Sequence, residues 1–208
     1  MELGVTAVML PDLDFGEQVE LCASLGIRYY QYRPRVIPES QRDKPWGNWG
    51  NHKFDLTPDR LLAEGSELTK RLRDAGIEPW GTVPSCNADT PDDELRLHFE
   101  GAARAEAKCV RVAPPPYPDE PFDYSELLER AVERYGEIIE TLAAPLGIKV
   151  IIETHCRCLA TSPCVYSLRA ASALCMKAAE ARRRSAPAML GVKSSMMSGG
   201  SRPVASRA

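Results

Sequence analysis

Residues 146–155 read Leu146-Gly147-Ile148-Lys149-Val150-Ile151-Ile152-Glu153-Thr154-His155. The first three end a helix and begin a strand. Gly just past a helix takes the left-handed cap conformation without a Cβ penalty, and the β-branched run behind it favours extended backbone. The same junction recurs at Leu25-Gly26-Ile27 and Ala75-Gly76-Ile77, and Lys108-Cys109 stands in the Gly-Ile place of a fourth copy.

Working outward from these junctions, strands are expected at Val5–Leu10, Ile27–Tyr32, Ile77–Val83, Cys109–Ala113 and Ile148–Glu153. All are short and mostly apolar, as strands buried on both faces are. Helical patterns lie between them. Phe15, Val19, Leu21, Cys22 and Leu25 give the first an apolar stripe. Thr57-Pro58 reads as an N-cap with Pro in the first turn, and Leu61, Leu62, Leu68 and Leu72 follow on one face. A third helix covers 91–107. A fourth runs from about Ser125 to Ala144 with Leu127, Leu128, Val132, Ile138, Ile139 and Leu142 inward.

Five strands alternating with four helices make parallel βα units. An open doubly wound sheet and a closed barrel both satisfy that rhythm. No Gly-x-Gly-x-x-Gly follows the first strand, only Met9-Leu10-Pro11-Asp12, which weakens a dinucleotide-binding sheet. Long polar or aromatic loops follow strands two, three and four, where barrels build their sites. The expected fold class is therefore α/β: a partial (β/α)8 TIM barrel of about five parallel βα units, with a C-terminal tail that does not match.

The chain has 208 residues, 44% hydrophobic and 26% charged, with net charge −3. These are the proportions of a soluble globular protein. The charge disfavours a nucleic-acid binder, and no apolar run is long enough for a membrane span. Met1-Glu2-Leu3-Gly4 lacks the basic, apolar start of a signal peptide, so a cytoplasmic protein is expected. The seven cysteines then read as reduced thiols.

The strand ending in Glu153-Thr154-His155, with Ala160-Thr161-Ser162-Pro163 beyond it, resembles the fifth strand and following helix start of the sugar phosphate isomerase/epimerase (xylose isomerase-like) family. Leu3-Gly4-Val5, Leu25-Gly26-Ile27 and Val110-Arg111-Val112 fall in the order that the family has them, so the resemblance covers about residues 1–166. It implies a metal-dependent sugar (phosphate) isomerase or epimerase acting on a sugar or polyol. A divalent metal (Mn, Mg, Co or Zn) would be held at the barrel mouth by a Glu, an Asp, a His and a second Glu from strands five to eight, the two Glu residues moving the proton. Such a cation polarises a carbonyl, and a carboxylate accepts the proton from the neighbouring carbon. The resemblance assigns Glu153 as catalytic residue and metal ligand.

Strand alternation would put His155 on the same face, as an added ligand or a substrate hydrogen-bonder, or else as a loop histidine capping backbone. The loop 34–55 carries Trp46, Trp49, His52 and Phe54 among Gly and Asn. Trp46, Trp49 and His52 are candidates to cover a sugar, against the plainer alternative of a flap folded on its own aromatics. Arg33 and Arg111 suit a phosphate or carboxylate, or a neighbouring strand's acid. Cys86, after the third strand, is a candidate nucleophile or an inert thiol. Cys156, Cys158, Cys164 and Cys175 lack the paired C-x2-C spacing of a zinc knuckle.

From about Ser167 the composition shifts to Ala, Ser, Arg and Met. Residues 157–208 hold nine basic residues against the single acid Glu180, a local charge of +8 in a chain of net −3. Arg182-Arg183-Arg184 lacks the interleaved aromatics of a nucleic-acid surface. Met189-Leu190-Gly191-Val192 faintly echoes a sixth strand, with Ser194 or Ser195 where a metal-binding Asp would stand. Residues 1–166 are thus expected to form the partial barrel, and 167–208 a basic, partly disordered tail from a truncated or frame-altered gene. A short variant completed by a second copy, a homo-oligomer, is the alternative. The competing functions are an inactive fragment or non-catalytic binding module of the same fold, and an endonuclease IV-like nuclease, which three histidines supply poorly.

Overall fold

The structure, a computed structural model, describes residues 2–153. The expectations placed on His155, on the cysteines from Cys156 onward and on the basic tail lie outside the described residues.

Five strands, β1 (Gly4–Thr6), β2 (Tyr29–Tyr32), β3 (Glu78–Thr82), β4 (Cys109–Arg111) and β5 (Lys149–Ile151), form one sheet in chain order, every neighbouring pair parallel. The order does not reverse about β1, so a doubly wound sheet is excluded and the first five strands of a TIM barrel remain. Between the strands lie α1 (Phe15–Ser24), α2 (Glu39–Arg42), α3 (Pro58–Asp74), α4 (Asp92–Arg104) and α5 (Tyr124–Ile138). A π turn (Ile139–Ala143) and a 3-10 turn (Ala144–Leu146) carry α5 to β5. The short α2, inside the loop after β2, has no apolar stripe and was not expected from the sequence.

The helix-to-strand junctions are one device used four times. Gly26, Gly76 and Gly147 have φ of 67°, 76° and 69°. In each case the next N–H reaches back to a carbonyl of the helix end: Ile27 to Cys22 (2.9 Å), Ile77 to Leu72 (2.9 Å) and Ile148 to Ala143 (3.0 Å). The fourth copy is Glu106-Ala107 rather than Lys108-Cys109. Glu106 has φ 50°, and Ala107 N–H donates to Ala102 at 2.9 Å. The left-handed residue there has a Cβ, at a cost of about 1 kcal/mol. Arg73 Nη1 meets the Glu106 carboxylate at 2.8 Å.

Caps fix where helices start. Thr57 Oγ1 accepts from Arg60 N–H (3.2 Å) ahead of Pro58, as the sequence indicates. Asp14 and Glu17 exchange side-chain and backbone bonds in a capping box at α1. Helix α1 buries Phe15, Gln18 and Cys22, while Leu21 and Leu25 stay exposed. Gln18 takes the place expected of an apolar residue because its polar atoms are all engaged. Its Nε2 donates to Leu10 (3.1 Å) and Leu13 (2.9 Å) carbonyls, and its Oε1 accepts from Tyr30 OH.

Strand β1 is shorter than expected. Ala7–Met9 turn into a 3-10 helix closed by Leu10 N–H to Ala7 C=O (3.1 Å), which brings Ala7 and Val8 into the core and leads the chain to the α1 cap. Burial differs between strands: that of β2 alternates strictly, whereas Gly81 and Thr82 on β3 and Cys109 and Val110 on β4 are buried at successive positions, hence on both faces. One face packs on the helices in two clusters. Tyr30, Tyr32, Phe15, Leu61 and Leu72 meet around β2, and Val110, Val112, Phe99, Leu127 and Ile138 around β4. Helices α3 and α4 approach closely at Gly65, where a Cβ would come within 2.9 Å of Ala105 N.

Candidate active site at the carboxyl ends of the strands

Parallel register assigns the two faces. Val110 pairs with Thr82 and Val150 and packs on the helices, so Cys109 and Arg111 point to the opposite, inward side. Gln31 aligns with Gly81, and Gly81 with Cys109, on that same side, a bulge at Trp80 adjusting β3 to β2. The inward series is therefore Thr6, Gln31, Gly81, Cys109 and Arg111. By alternation Arg33 and Glu153, two residues beyond Gln31 and Ile151, continue it past the strand ends.

At that carboxyl end Arg111 and Glu153 meet. Arg111 Nη1 donates to Glu153 Oε2 at 2.8 Å, and its Nη2 donates to the Pro84 carbonyl at 2.9 Å. The arginine side chain is 15% exposed and the glutamate 49%. Of the two readings for Arg111, pairing with a neighbouring strand's acid is the one formed here. Arg111 Nε is a buried donor with no acceptor among the described residues.

Arg33 stands at the end of β2, 7% exposed. Its Nη1 donates to His52 Nε2, and its guanidinium lies 5.4 Å from the Trp49 ring centroid. His52 Nε2 also lies 3.1 Å from the Asn48 carbonyl oxygen, so this one ring nitrogen sits between the guanidinium and a backbone acceptor. Burial, with Arg33 and Arg35 nearby, pushes His52 below the usual histidine range. Burial, then the charges of Arg35 and Arg111, pull Arg33 down to about 10. No carboxylate lies within ion-pair distance of Arg33 among the described residues.

The loop after β2 is a flap tied to itself. Asn51 Nδ2 donates to the Arg42 (2.8 Å) and Lys44 (3.2 Å) carbonyls, and Gly47 N–H to the Asn51 carbonyl (3.0 Å). Arg35 donates to the carbonyls of Trp49 (3.0 Å) and Gly50. Trp46 and Trp49 are 52% and 66% exposed. Trp49 reaches the strand ends through Arg33. His52 is buried behind Arg33, and Trp46 bridges to Asn51 within the flap. Arg35 was missed from the sequence; its alternation with Arg33 was the available signal.

Cys86 is buried, its Sγ donating to Arg111 O at 3.9 Å, and burial pushes the thiol up to about 12. A thiol held protonated in this way is a poor nucleophile. Among the described residues no three His, Cys, Asp or Glu side chains converge. Glu153, the inward carboxylate at the end of β5, has a guanidinium on one oxygen. These residues do not by themselves make a divalent-cation site. Among the described residues no helix is long and apolar enough to cross a membrane.

No family model and no curated protein matches the sequence. Solved structures do. The IolI protein, crystallised with a zinc atom, aligns with TM-score 0.56 at 18% identity, over 81% of this chain and 58% of that one. A xylose isomerase domain protein from Alicyclobacillus acidocaldarius gives 0.54 at 16% identity, over 82% and 59%. A xylose isomerase domain-containing protein from Salmonella typhimurium LT2 gives 0.53 at 14% identity, over 82% and 57%. The aligned part of the chain spans somewhat under 60% of each neighbour's length. Five parallel strands in chain order, backed by helices and aligned with these proteins, give the chain the fold of the first five βα units of a TIM barrel, as in the xylose isomerase-like proteins it is similar to.

Proposed function

We propose that the chain acts on a small sugar or polyol as an isomerase/epimerase-type protein, with Glu153 moving a proton at the carbon next to a carbonyl. The observation that carries this reading is the Arg111–Glu153 pair on the inward face, at the carboxyl end of β4 and β5. Active sites of this fold gather at that end. Glu153 takes the proton from the substrate carbon, and the electron pair of the broken C–H bond moves onto the carbonyl oxygen as an enediolate. Returning the proton to the adjacent carbon, while the hydroxyl proton there passes to the former carbonyl oxygen, isomerises the sugar; protonation of the original carbon from its opposite face by a water molecule, with the proton on Glu153 passed to solvent, epimerises it. Arg111 fixes the carboxylate and offers positive charge to the developing oxyanion. Trp49, above Arg33, is the flap residue suited to pack on a sugar ring, with Trp46 and His52 supporting the flap.

The zinc atom belongs to the neighbour. A divalent cation on Glu153 and His155 is a separate proposal, and the step above does not pass through it. The second reading is a sugar-binding module without turnover. It is favoured by the grip of Arg111 on Glu153 Oε2, which must open before that oxygen accepts a proton.

The test is an isomerase and epimerase assay on a panel of aldoses and ketoses, with and without manganese, beside Glu153→Gln. Turnover that falls at least a hundredfold in the variant supports proton transfer by Glu153. Equal turnover in both proteins removes Glu153 from the chemistry. Sugar binding without turnover in either establishes the binding module, and dependence on manganese decides the metal question.

A further inference from the structure

We infer that Arg33 and Arg111 form an anion subsite beside the Glu153 position, so that the substrate is a sugar bearing a phosphate or carboxylate group rather than a neutral sugar. This rests on the proposed sugar site and names its substrate class.

The argument begins with an imbalance of charge. Arg33 is more than nine-tenths buried, and its contacts among the described residues are the His52 imidazole and an indole face. Its neighbours in charge are Arg35 and Arg111, both cations. A buried cation beside like charges and without an anion is costly, and proteins keep such an arrangement where a ligand completes it. His52 makes the cation hard to dismiss as a structural ion pair: in either tautomer it supplies no negative charge.

Donor counting agrees. Of Arg33's five N–H groups one is spent on His52. Arg111 spends one on Glu153 and one on the Pro84 carbonyl, while its Nε has no acceptor among the described residues. The two guanidinium groups rise from β2 and β4 and flank the end of β3, Arg111 leaning toward the β3 loop through Pro84. Two guanidinium forks on the same face at this end of the sheet suit the oxygens of a phosphate or carboxylate. Trp49, already on Arg33, would then sit beside the sugar that carries the anion. Arg111, linked to both the anion subsite and Glu153, would hold the two ends of the substrate in register.

The experiment measures binding of glucose, glucose 6-phosphate, gluconate and inorganic phosphate by calorimetry, with Trp fluorescence as a second readout assigned by Trp49→Phe. Glucose 6-phosphate or gluconate should bind at least tenfold more tightly than glucose, and which of them wins separates phosphate from carboxylate. In Arg33→Gln that preference should fall to near one; Arg33→Lys should retain part of it. Arg111→Gln reads the same ratio and decides the matter if Arg33→Gln does not fold. No preference in the native protein, or an unchanged preference in a folded Gln variant, overturns the subsite. Glucose bound without anion preference would sink the subsite while leaving the sugar site standing. Inorganic phosphate bound through Arg33, with neither sugar nor turnover, would keep the subsite and sink the isomerase reading.

Discussion

The two faces of the five-stranded sheet follow different rules. The helix-facing side carries Tyr30, Tyr32, Val110, Val112 and Val150, packed against Phe15, Phe99, Leu61 and Tyr135. The inward side carries Gln31, Gly81, Cys109 and Arg111, and beyond the strand ends Arg33 and Glu153. Cys109 is buried yet belongs to neither helix-facing cluster. The outer face is apolar because burying area against helices is what stabilises a βα repeat. The inner face keeps polar groups because their partners there are other charged groups, carbonyls and, as proposed, substrate. Stability and chemistry are thus written on alternate residues of the same strands.

Substitutions can break this division, and the largest effect should come from the outer layer. Phe99, fully buried among Leu95, Val110 and Ile138, should cost about 3–5 kcal/mol on replacement by Ala. Denaturant unfolding measures it; a loss under 1 kcal/mol would mean that the helical layer is not the core.

The next effect depends on pH. His98 on α4 is buried, its Nδ1 has no partner among the described residues, and burial lowers it from 6.5 to about 4. Between those values the unfolded chain binds the extra proton and the folded chain does not. His98 thus favours the fold fully above about pH 6.5, and this contribution is lost as the pH falls toward 4, up to about 3 kcal/mol. Melting curves at pH 7.5 and 5 should converge in His98→Leu relative to the native protein. An identical pH dependence in both proteins would assign the effect elsewhere.

Crowding on the inner face comes third. A Cβ on Gly81 would lie 2.5 Å from Cys109 Sγ and 2.9 Å from its carbonyl oxygen. Gly81→Ala should destabilise by about 1–3 kcal/mol, and pairing it with Cys109→Ala should recover part of the loss. Recovery absent from the double variant would locate the strain in the backbone.

The smallest effect on stability should accompany the largest on function. Glu153 is half exposed, and Glu153→Gln keeps its shape, so the unfolding free energy should move by no more than about 0.5 kcal/mol. A large loss of stability would make Glu153 a structural residue and collapse the contrast between the faces.

Much of this was legible in the chain. The Gly-Ile junctions located three helix ends, because a left-handed residue between a helix and a strand nearly demands Gly. The fourth escaped because Glu106 adopts that conformation itself, so no glycine marks it. The stripe of α1 misled at Leu21 and Leu25, which are exposed, and hid Gln18, which is buried with its hydrogen bonds satisfied. Periodicity records hydrophobicity, and a polar residue paired by distant carbonyls leaves no trace in it. At the site, Arg111 could be named from its strand, and Glu153 from the resemblance that its strand end carries. Their contact, across 42 positions of chain, could not.

The sequence by itself determined the alternation of helices and strands, the caps that bound them and the candidate status of Arg33 and Arg111, since each depends on residues a few places apart; Glu153 became a candidate through the family resemblance. Only the tertiary structure decided the strand order, the inward face and the pairing of Arg111 with Glu153 instead of a free approach to solvent. It alone also set His52 against a buried Arg33. Local backbone preferences act within one turn or one strand. Which charges meet is settled by the parallel register that brings distant strands side by side.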